Sequence, residues 1–200
     1  IRGQYEGYLD EPGVAGGSRT ATFAAMKLHI DNWRWQGVPF FLRSGKAMSC
    51  PTTQILIQFR RPPHVLFPSG SRPQRDANYL LMQIQPAEGI QLHFQTKTPD
   101  TEMKLRMTSF DFRFDQNFGK GLPDAYERLL VDAINGDASQ FTRSDEVENA
   151  WKLIDPIQQA WDADTTAPYT YEPGMWGPQE SDDWMKQNGY SWYDVCPILT

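Results

Sequence analysis

Apolar and polar residues alternate along much of residues 20–115, and a period of two is typical of β-strands with one buried face. The clearest case is Met26, Leu28 and Ile30, which alternate with polar residues in the stretch that follows Thr20. Five more strands are predicted at residues 38–44, 54–60, 78–85, 90–97 and 103–114. Short turns join most of them, which favours an antiparallel sheet. The proline-rich residues 61–75 are predicted to form a loop.

The pattern changes to helical spacing over residues 122–163. The first predicted helix opens at Pro123 and stops at Gly136. Ser144 is predicted to cap the second helix, with a kink or break at Pro156. Residues 1–19 are expected to form an irregular first segment, and residues 164–200 an extended C-terminal arm packed on the body.

Composition removes several classes of function. The net charge of −6 and the pI near 5.0 argue against a nucleic-acid-binding protein. The chain contains no apolar run of about 18 residues, the length that would indicate a membrane span, and no signal peptide is visible.

Cys50 and Cys196 are far apart and lack metal-type neighbours. We expect two free thiols in a reducing compartment; a disulfide, or redox control through Cys50, is the alternative.

Candidate chemistry is concentrated at one predicted strand end. Val38 to Leu42 is followed by Arg43-Ser44-Gly45-Lys46, in which Gly45 permits a sharp turn between two cations. A lysine there suits a phosphate, and an arginine can fork onto an anion or a carbonyl. The chain has no G-x-G-x-x-G turn for a dinucleotide and no metal-ligand spacing. The three histidines (His29, His64 and His93) are interpreted as surface or sheet-face side chains.

Several motifs together resemble the glucose-6-phosphate dehydrogenase family in its C-terminal, non-nucleotide-binding domain. They are R-G-Q-Y (2–5), G-Y-L-D-E-P (7–12), W-x-G-V-P-F-x-L-R-x-G-K (35–46), P-D-A-Y-E-R-L-L-x-D-A (123–133), F-x-R-S-D-E-V-E-x-A-W (141–151) and G-x-W-G-P (174–178). The resemblance implies an α+β fold, with a large, mainly antiparallel sheet and helices packed on one face. It makes residues 1–200 a substrate-binding and dimerisation domain.

The resemblance also implies site residues. Lys46 matches the family lysine that contacts glucose 6-phosphate, Gln85 in Q-I-Q-P matches a glutamine that reaches the substrate hydroxyls, and Arg43 is a possible supporting residue. No catalytic residue and no metal ligand is assigned to this chain. Pro51 stands where the family usually has another cation.

A structural NADP site on this domain is not expected. The positions that form it in some family members are here Thr52, Leu56, Gln83, Gln91 and His93; Arg43 matches, but most of the set does not.

The activity that the resemblance implies is oxidation of glucose 6-phosphate by NADP to 6-phosphogluconolactone, in the pentose phosphate pathway. NADP would be bound mainly by an N-terminal half, and this chain alone would be inactive. The enzyme is expected to be a cytoplasmic homodimer or tetramer, associating through the sheet. The alternative hypothesis is a stand-alone, non-catalytic module that binds a sugar phosphate or dimerises.

Overall fold

The computed structural model describes residues 1–61, 77–86, 88–99, 105–114 and 125–197. Its strands are β1 Arg2–Tyr5, β2 Phe23–Leu28, β3 Phe40–Gly45, β4 Thr53–Gln58, β5 Tyr79–Gln85, β6 Gly89–Lys97, β7 Leu105–Arg113 and β8 Tyr169–Tyr171. Its helices are α1 Ala125–Asn135, α2 Ser144–Ala163 and α3 Gln179–Gln187, with one 3₁₀ turn at Tyr8–Asp10. The predicted loop over residues 61–75 and the opening of the first helix at Pro123 lie outside the described residues, apart from Arg61.

The described strands form two four-stranded sheets, in the orders β3-β2-β1-β8 and β4-β5-β6-β7. Every neighbouring pair is antiparallel except β1 and β8, which are parallel. The α+β class is therefore confirmed, but the described strands are divided between two sheets. The chain leaves the first sheet after β3, where Ala47 has a φ of 49° and Pro51 has no backbone donor.

The first sheet carries the core. Phe23, Ala25 and Tyr171 are buried, and Met48, Trp184 and Trp192 pack against them. The Phe23 ring, 1% exposed, lies edge-on to Tyr171 with 5.7 Å between ring centroids. Helix α3 contributes Trp184 to this cluster, so the C-terminal part of the chain is built into the core.

The second sheet has two unlike faces. The strand register places one apolar set on a single face: Ile55, Ile57, Leu80, Met82, Ile84, Ile90, Leu92, Phe94, Phe110 and Phe112. Many of these side chains are exposed, Phe110 by 68%. The opposite face carries Gln54, Gln83, Gln91, His93 and Asp111.

Residues 120–168 form a separate compact unit that contains α1 and α2. Helix α1 ends at Asn135, and Gly136 has a φ of 72°, which confirms the predicted stop. Helix α2 begins at Ser144, but its N-cap is Arg143, without a side-chain cap hydrogen bond, so the predicted Ser144 cap is wrong. The Asp145 carboxylate instead accepts from the Glu146 backbone N–H and binds Arg143. The helix continues through Pro156 without the break that was one of the two predicted outcomes.

Both end segments contain regular structure that the sequence prediction missed. Residues 1–19 include β1 and the 3₁₀ turn, and residues 164–200 include β8 and α3, so neither the irregular segment nor the purely extended arm is correct. The two short strands stabilise each other across almost the whole chain, through the pairs Gly3 with Tyr169 and Tyr5 with Tyr171. A strand of three or four residues has too little alternation to be recognised locally.

Candidate functional site

Lys46 follows the last residue of β3, and its backbone is held on both sides. Its N–H donates to the Thr22 carbonyl at 2.8 Å, and its carbonyl accepts from the Tyr171 hydroxyl at 2.7 Å. The side chain is exposed, and no hydrogen bond or ion pair within the described residues engages its ammonium group. A fixed backbone with an available ammonium group is suited to binding an anionic ligand.

The turn at Lys46 depends on the small residue before it. A Cβ at Gly45 would lie 2.8 Å from the Met48 Sδ and 3.0 Å from the Phe23 ring. Gly45 therefore lets the strand end pass close to the core. The next residue, Ala47, has the positive φ noted above and accepts a hydrogen bond on its carbonyl from the Gly174 N–H at 2.8 Å.

Arg43 lies on β3, three residues before Lys46, and binds the C-terminal part of the chain. Its guanidinium donates to Asp194 at 2.6 Å and to the Trp176 carbonyl at 3.3 Å. It also lies over the rings of Trp176 and Trp192, 5.0 and 4.6 Å from their centroids. The Arg43 side chain is only 9% exposed, so it holds the surroundings of the strand end and does not present a free cation.

Gln85 is exposed at the end of β5. Its carbonyl accepts from the Thr52 hydroxyl at 3.1 Å and from the Gln83 amide. Its side-chain amide makes no hydrogen bond to the part of the chain that the structure describes. The segment 47–52 links the two sheets. Lys46 directly precedes this segment, and Gln85 contacts its last residue, Thr52. The backbones of Lys46 and Gln85 are fixed by different neighbours.

Cys50 and Cys196 form a disulfide bond, with 6.0 Å between their Cα atoms. The expectation of two free thiols is wrong. The sequence separation of 146 residues conceals this pairing, which depends on where the C-terminal segment lies. Arg43 binds Asp194, and the Gln54 amide donates to the Tyr193 carbonyl at 3.4 Å; these contacts bring Cys196 beside Cys50.

The polar face of the second sheet carries the positions considered for structural NADP. Gln83 donates to Thr52 at 2.7 Å, Gln91 bonds His93 at 3.2 Å, and the His93 ring stacks on Tyr79 at 4.3 Å. Burial lowers the pKa of His93, despite the opposing effect of a nearby aspartate. Residues 193, 195, 196 and 197 of the C-terminal segment line one side of a cavity of about 150 Å³ here.

Two of these five positions, Gln83 and Gln91, carry amides and none carries a lysine or an arginine. Neutral side chains bind a polyphosphate less strongly than cations do. That no structural NADP binds here stays a prediction.

His29 is exposed, and His64 lies outside the described residues. Within the described ranges, no group of three or more His, Cys, Asp or Glu residues is placed to hold a metal ion. Among the same residues, no helix has the length and apolar character to cross a membrane.

The sequence profile of "Glucose-6-phosphate dehydrogenase, C-terminal domain" matches residues 1–193. This chain belongs to the glucose-6-phosphate dehydrogenase family. It is 45% identical to glucose-6-phosphate 1-dehydrogenase from Treponema pallidum over 194 residues, which cover 96% of this chain and 38% of that protein. It is 39% identical to the Dickeya dadantii enzyme, over 98% of this chain and 42% of that protein. The chain therefore spans about two fifths of the length of these relatives.

Two solved structures of family members resemble the fold. The Mycobacterium avium glucose-6-phosphate 1-dehydrogenase superimposes with a TM-score of 0.81 at 32% identity, covering 100% of this chain and 41% of that one. A glucose-6-phosphate dehydrogenase described as being in complex with its substrate glucose 6-phosphate gives a TM-score of 0.84 at 34% identity, covering 97% and 41%.

Sequence reasoning missed the residues that fix the backbone around Lys46, namely Thr22 and Tyr171. Tyr171 lies three residues before the G-x-W-G-P motif, and that motif supplies the Trp176 contacts to Arg43. The co-occurrence of the motif around Arg43 and Lys46 with a second motif 128 residues beyond Lys46, at Gly174, was the available signal. It indicated two segments of one family but not that they touch.

Proposed function

We propose that this chain is the substrate-binding domain of an NADP-dependent glucose-6-phosphate 1-dehydrogenase. The observation that carries the proposal is the exposed Lys46 ammonium group on a backbone fixed at both its N–H and its carbonyl. Lys46 binds the anionic sugar phosphate, and Gln85 offers an amide to its hydroxyl groups. The family relationship and a relative described with its substrate bound support this ligand.

The proposed reaction transfers a hydride from C1 of glucose 6-phosphate to NADP and gives the lactone. A base removes the proton of the C1 hydroxyl while the hydride leaves. We assign neither the base nor the dinucleotide site to this chain. Both belong in our proposal to the three fifths of the relatives' length that the chain does not match. We further propose a cytoplasmic location.

Replacement of the lysine tests the proposed substrate contact. In the whole protein, Lys46→Gln is expected to raise KM for glucose 6-phosphate about tenfold or more, because a hydrogen bond to a charged group is worth about 1.5–3 kcal/mol. The KM for NADP stays unchanged. Lys27→Gln is the matched control, since Lys27 is exposed on β2 and its ammonium donates to Asn188. Equal effects of the two substitutions would remove Lys46 from the proposed site.

The proposed division of labour has a direct test. The 200-residue chain alone is expected to reduce no NADP in the presence of glucose 6-phosphate, whereas the native protein from its source does. The native protein is also expected to have an intact mass of about twice 23.0 kDa or more, which leaves room for a dinucleotide-binding domain. Turnover by the isolated chain contradicts the proposal, and so does a native mass near 23.0 kDa.

We propose that a second copy of the chain covers the apolar face of the second sheet, giving a homodimer or a tetramer. An exposed apolar face of this extent is typical of an interface between subunits. Phe110→Asp is expected to shift the protein towards monomer in sedimentation velocity at micromolar concentration. Ser109→Asp is the control, because the adjacent residue points to the opposite face of β7. A monomeric protein before substitution, or no shift after it, rejects this interface.

A further inference from the structure

We propose that Tyr171 is a positioning residue for Lys46, an inference that rests on the proposed function. The Tyr171 side chain belongs to β8, is 4% exposed and extends across the first sheet to the strand end. Its hydroxyl donates to the Lys46 carbonyl at 2.7 Å, the shortest of its three contacts. The other two, to the hydroxyl and the carbonyl of Thr22, are 3.2 and 3.3 Å.

The hydrogen bonds around this tyrosine form a complete set. A hydroxyl group donates once, and the Tyr171 proton goes to Lys46 at the shorter distance. The Tyr171 oxygen then accepts from the Thr22 hydroxyl, whose own oxygen accepts from the Tyr5 N–H at 2.9 Å. Each proton has one acceptor, so the orientation of the Tyr171 hydroxyl is fixed.

This arrangement fixes the direction in which the lysine side chain leaves the backbone. Thr22 holds the N–H of Lys46 and Tyr171 holds its carbonyl, so both neighbouring peptide planes are restrained. Ala47, the next residue, has a positive φ, which is strained for a residue with a side chain and persists only where the surrounding structure holds it. Without the Tyr171 hydroxyl, the second plane can rotate, and the ammonium group is no longer presented to a substrate at one place.

Tyr171→Phe in the whole protein tests the proposal. We expect KM for glucose 6-phosphate to rise about fivefold, because binding must then order roughly one more residue. KM for NADP is expected to stay unchanged. Tyr169→Phe is the matched control, because Tyr169 lies on the same strand but is exposed. A lower melting temperature with an unchanged KM overturns the proposal and leaves Tyr171 a purely structural role.

A double variant separates this inference from the proposed function. If Tyr171 acts through the lysine, Tyr171→Phe has no further effect on KM in a Lys46→Gln background. Additive effects overturn the positioning role. If Lys46→Gln alone leaves KM unchanged, the proposed function itself has failed, because the lysine then does not bind substrate.

A different observation carries a second proposal: we infer that the Cys50–Cys196 disulfide is a reducible latch on the segment 47–52. Cys196 is exposed and Cys50 half-buried, so a reductant can reach the bond. A dithiol supplies two electrons and two protons; the S–S bond breaks, two thiols form, and the reductant leaves as its own disulfide. In the cytoplasm that we propose, disulfides are usually transient and redox-sensing.

The latch is joined to both ends of the proposed substrate site. Cys50 lies four residues after Lys46 and two before Thr52, whose hydroxyl holds the Gln85 carbonyl. Reduction leaves the Arg43 contact to Asp194 intact, so the C-terminal segment stays attached at that point. What is released is the tether at Cys50, and the backbone near Gln85 gains conformations that substrate binding must remove.

Hydrogen exchange of the whole protein, with and without a dithiol, tests the latch directly. Reduction is expected to lower the free energy of local opening and so to speed exchange about tenfold in the peptide containing residues 49–53, while exchange in β2 stays constant. Because binding must then order this segment again, reduction is also expected to raise KM for glucose 6-phosphate about threefold. The Cys196→Ser variant should show the same raised KM and no longer respond to the dithiol. Unchanged exchange on reduction overturns the latch. Faster exchange with constant KM also overturns it, since it uncouples the disulfide from the site.

Discussion

Gly177 gives the sharpest test of the packing that holds the strand end. It belongs to the G-x-W-G-P motif and has a φ of 123°, a backbone conformation that residues with a side chain rarely adopt. A Cβ added there would overlap the Phe23 ring, contacting Cε2 and lying 2.7 Å from Cζ and 3.0 Å from Cδ2. Phe23 is 1% exposed and surrounded by the core, so the ring cannot move aside without displacing its neighbours.

The expected cost of Gly177→Ala has two parts. Strained backbone at positive φ contributes about 1–3 kcal/mol, and overpacking in a full core contributes about 1–3 kcal/mol. Their sum, about 2–6 kcal/mol, corresponds to a melting temperature lower by about 5 °C or more in a chain of this size. Thermal unfolding followed by circular dichroism measures the change.

Two other glycines calibrate the measurement. Gly16→Ala is the control, because no atom of the described residues other than its two chain neighbours lies within 4 Å of a Cβ at that position. It is expected to leave the melting temperature within about 2 °C of the original. Gly45→Ala should fall between the two, since its closest contact is the flexible Met48 side chain. If Gly177→Ala and Gly16→Ala have the same melting temperature, the close approach of the motif to Phe23 is wrong, and so is the packing derived from it.

Two further substitutions test the charges around α3 and β3. Burial, aided by Asp194, raises the pKa of Asp182 above its ordinary value of 3.8, so the ionised carboxylate destabilises the folded protein at pH values above that raised pKa. Asp182→Asn should therefore raise the melting temperature at pH 7 but not below pH 3.8, and a gain of equal size at both pH values contradicts this origin. Arg43→Lys is expected to lower the free energy of unfolding by about 1–3 kcal/mol, because lysine cannot donate to Asp194 and a carbonyl while stacking on two tryptophans. Urea unfolding followed by tryptophan fluorescence measures this change. A loss below about 0.5 kcal/mol would show that these guanidinium contacts do not stabilise the fold.

The strands that could be predicted are those whose signal is local. β2 to β7 each have six to nine residues, enough for alternation to appear, and their predicted positions agree with the structure to within a few residues. β1 and β8 could not be found this way. Their stability comes from pairing with each other and from the burial of Tyr171 against Phe23, and both depend on residues more than 140 positions apart in the sequence.

The sequence predicted the residue types of the proposed site but not their geometry, and the substrate contacts stay a prediction. The R-x-G-K run identified two cations at a strand end, and the structure gives them different roles. Arg43 is bound to Asp194 and the tryptophans, whereas the Lys46 ammonium group has no partner in the described part of the chain. No local pattern distinguishes these outcomes, because the partners of Arg43 come from residues 176–194.

The exchange of a cation for Pro51 now has a structural setting. Pro51 carries no charge, and the residue before it, Cys50, is linked covalently to the C-terminal segment through Cys196. Arg43 is committed to Asp194, which leaves Lys46 as the cation of this strand end that is available to a phosphorylated ligand. In our proposal, the contribution of this segment to binding an anionic substrate is therefore concentrated on one ammonium group. For that reason the residues that fix its backbone, Thr22 and Tyr171, should affect substrate binding more here than in a site where two cations contact the substrate.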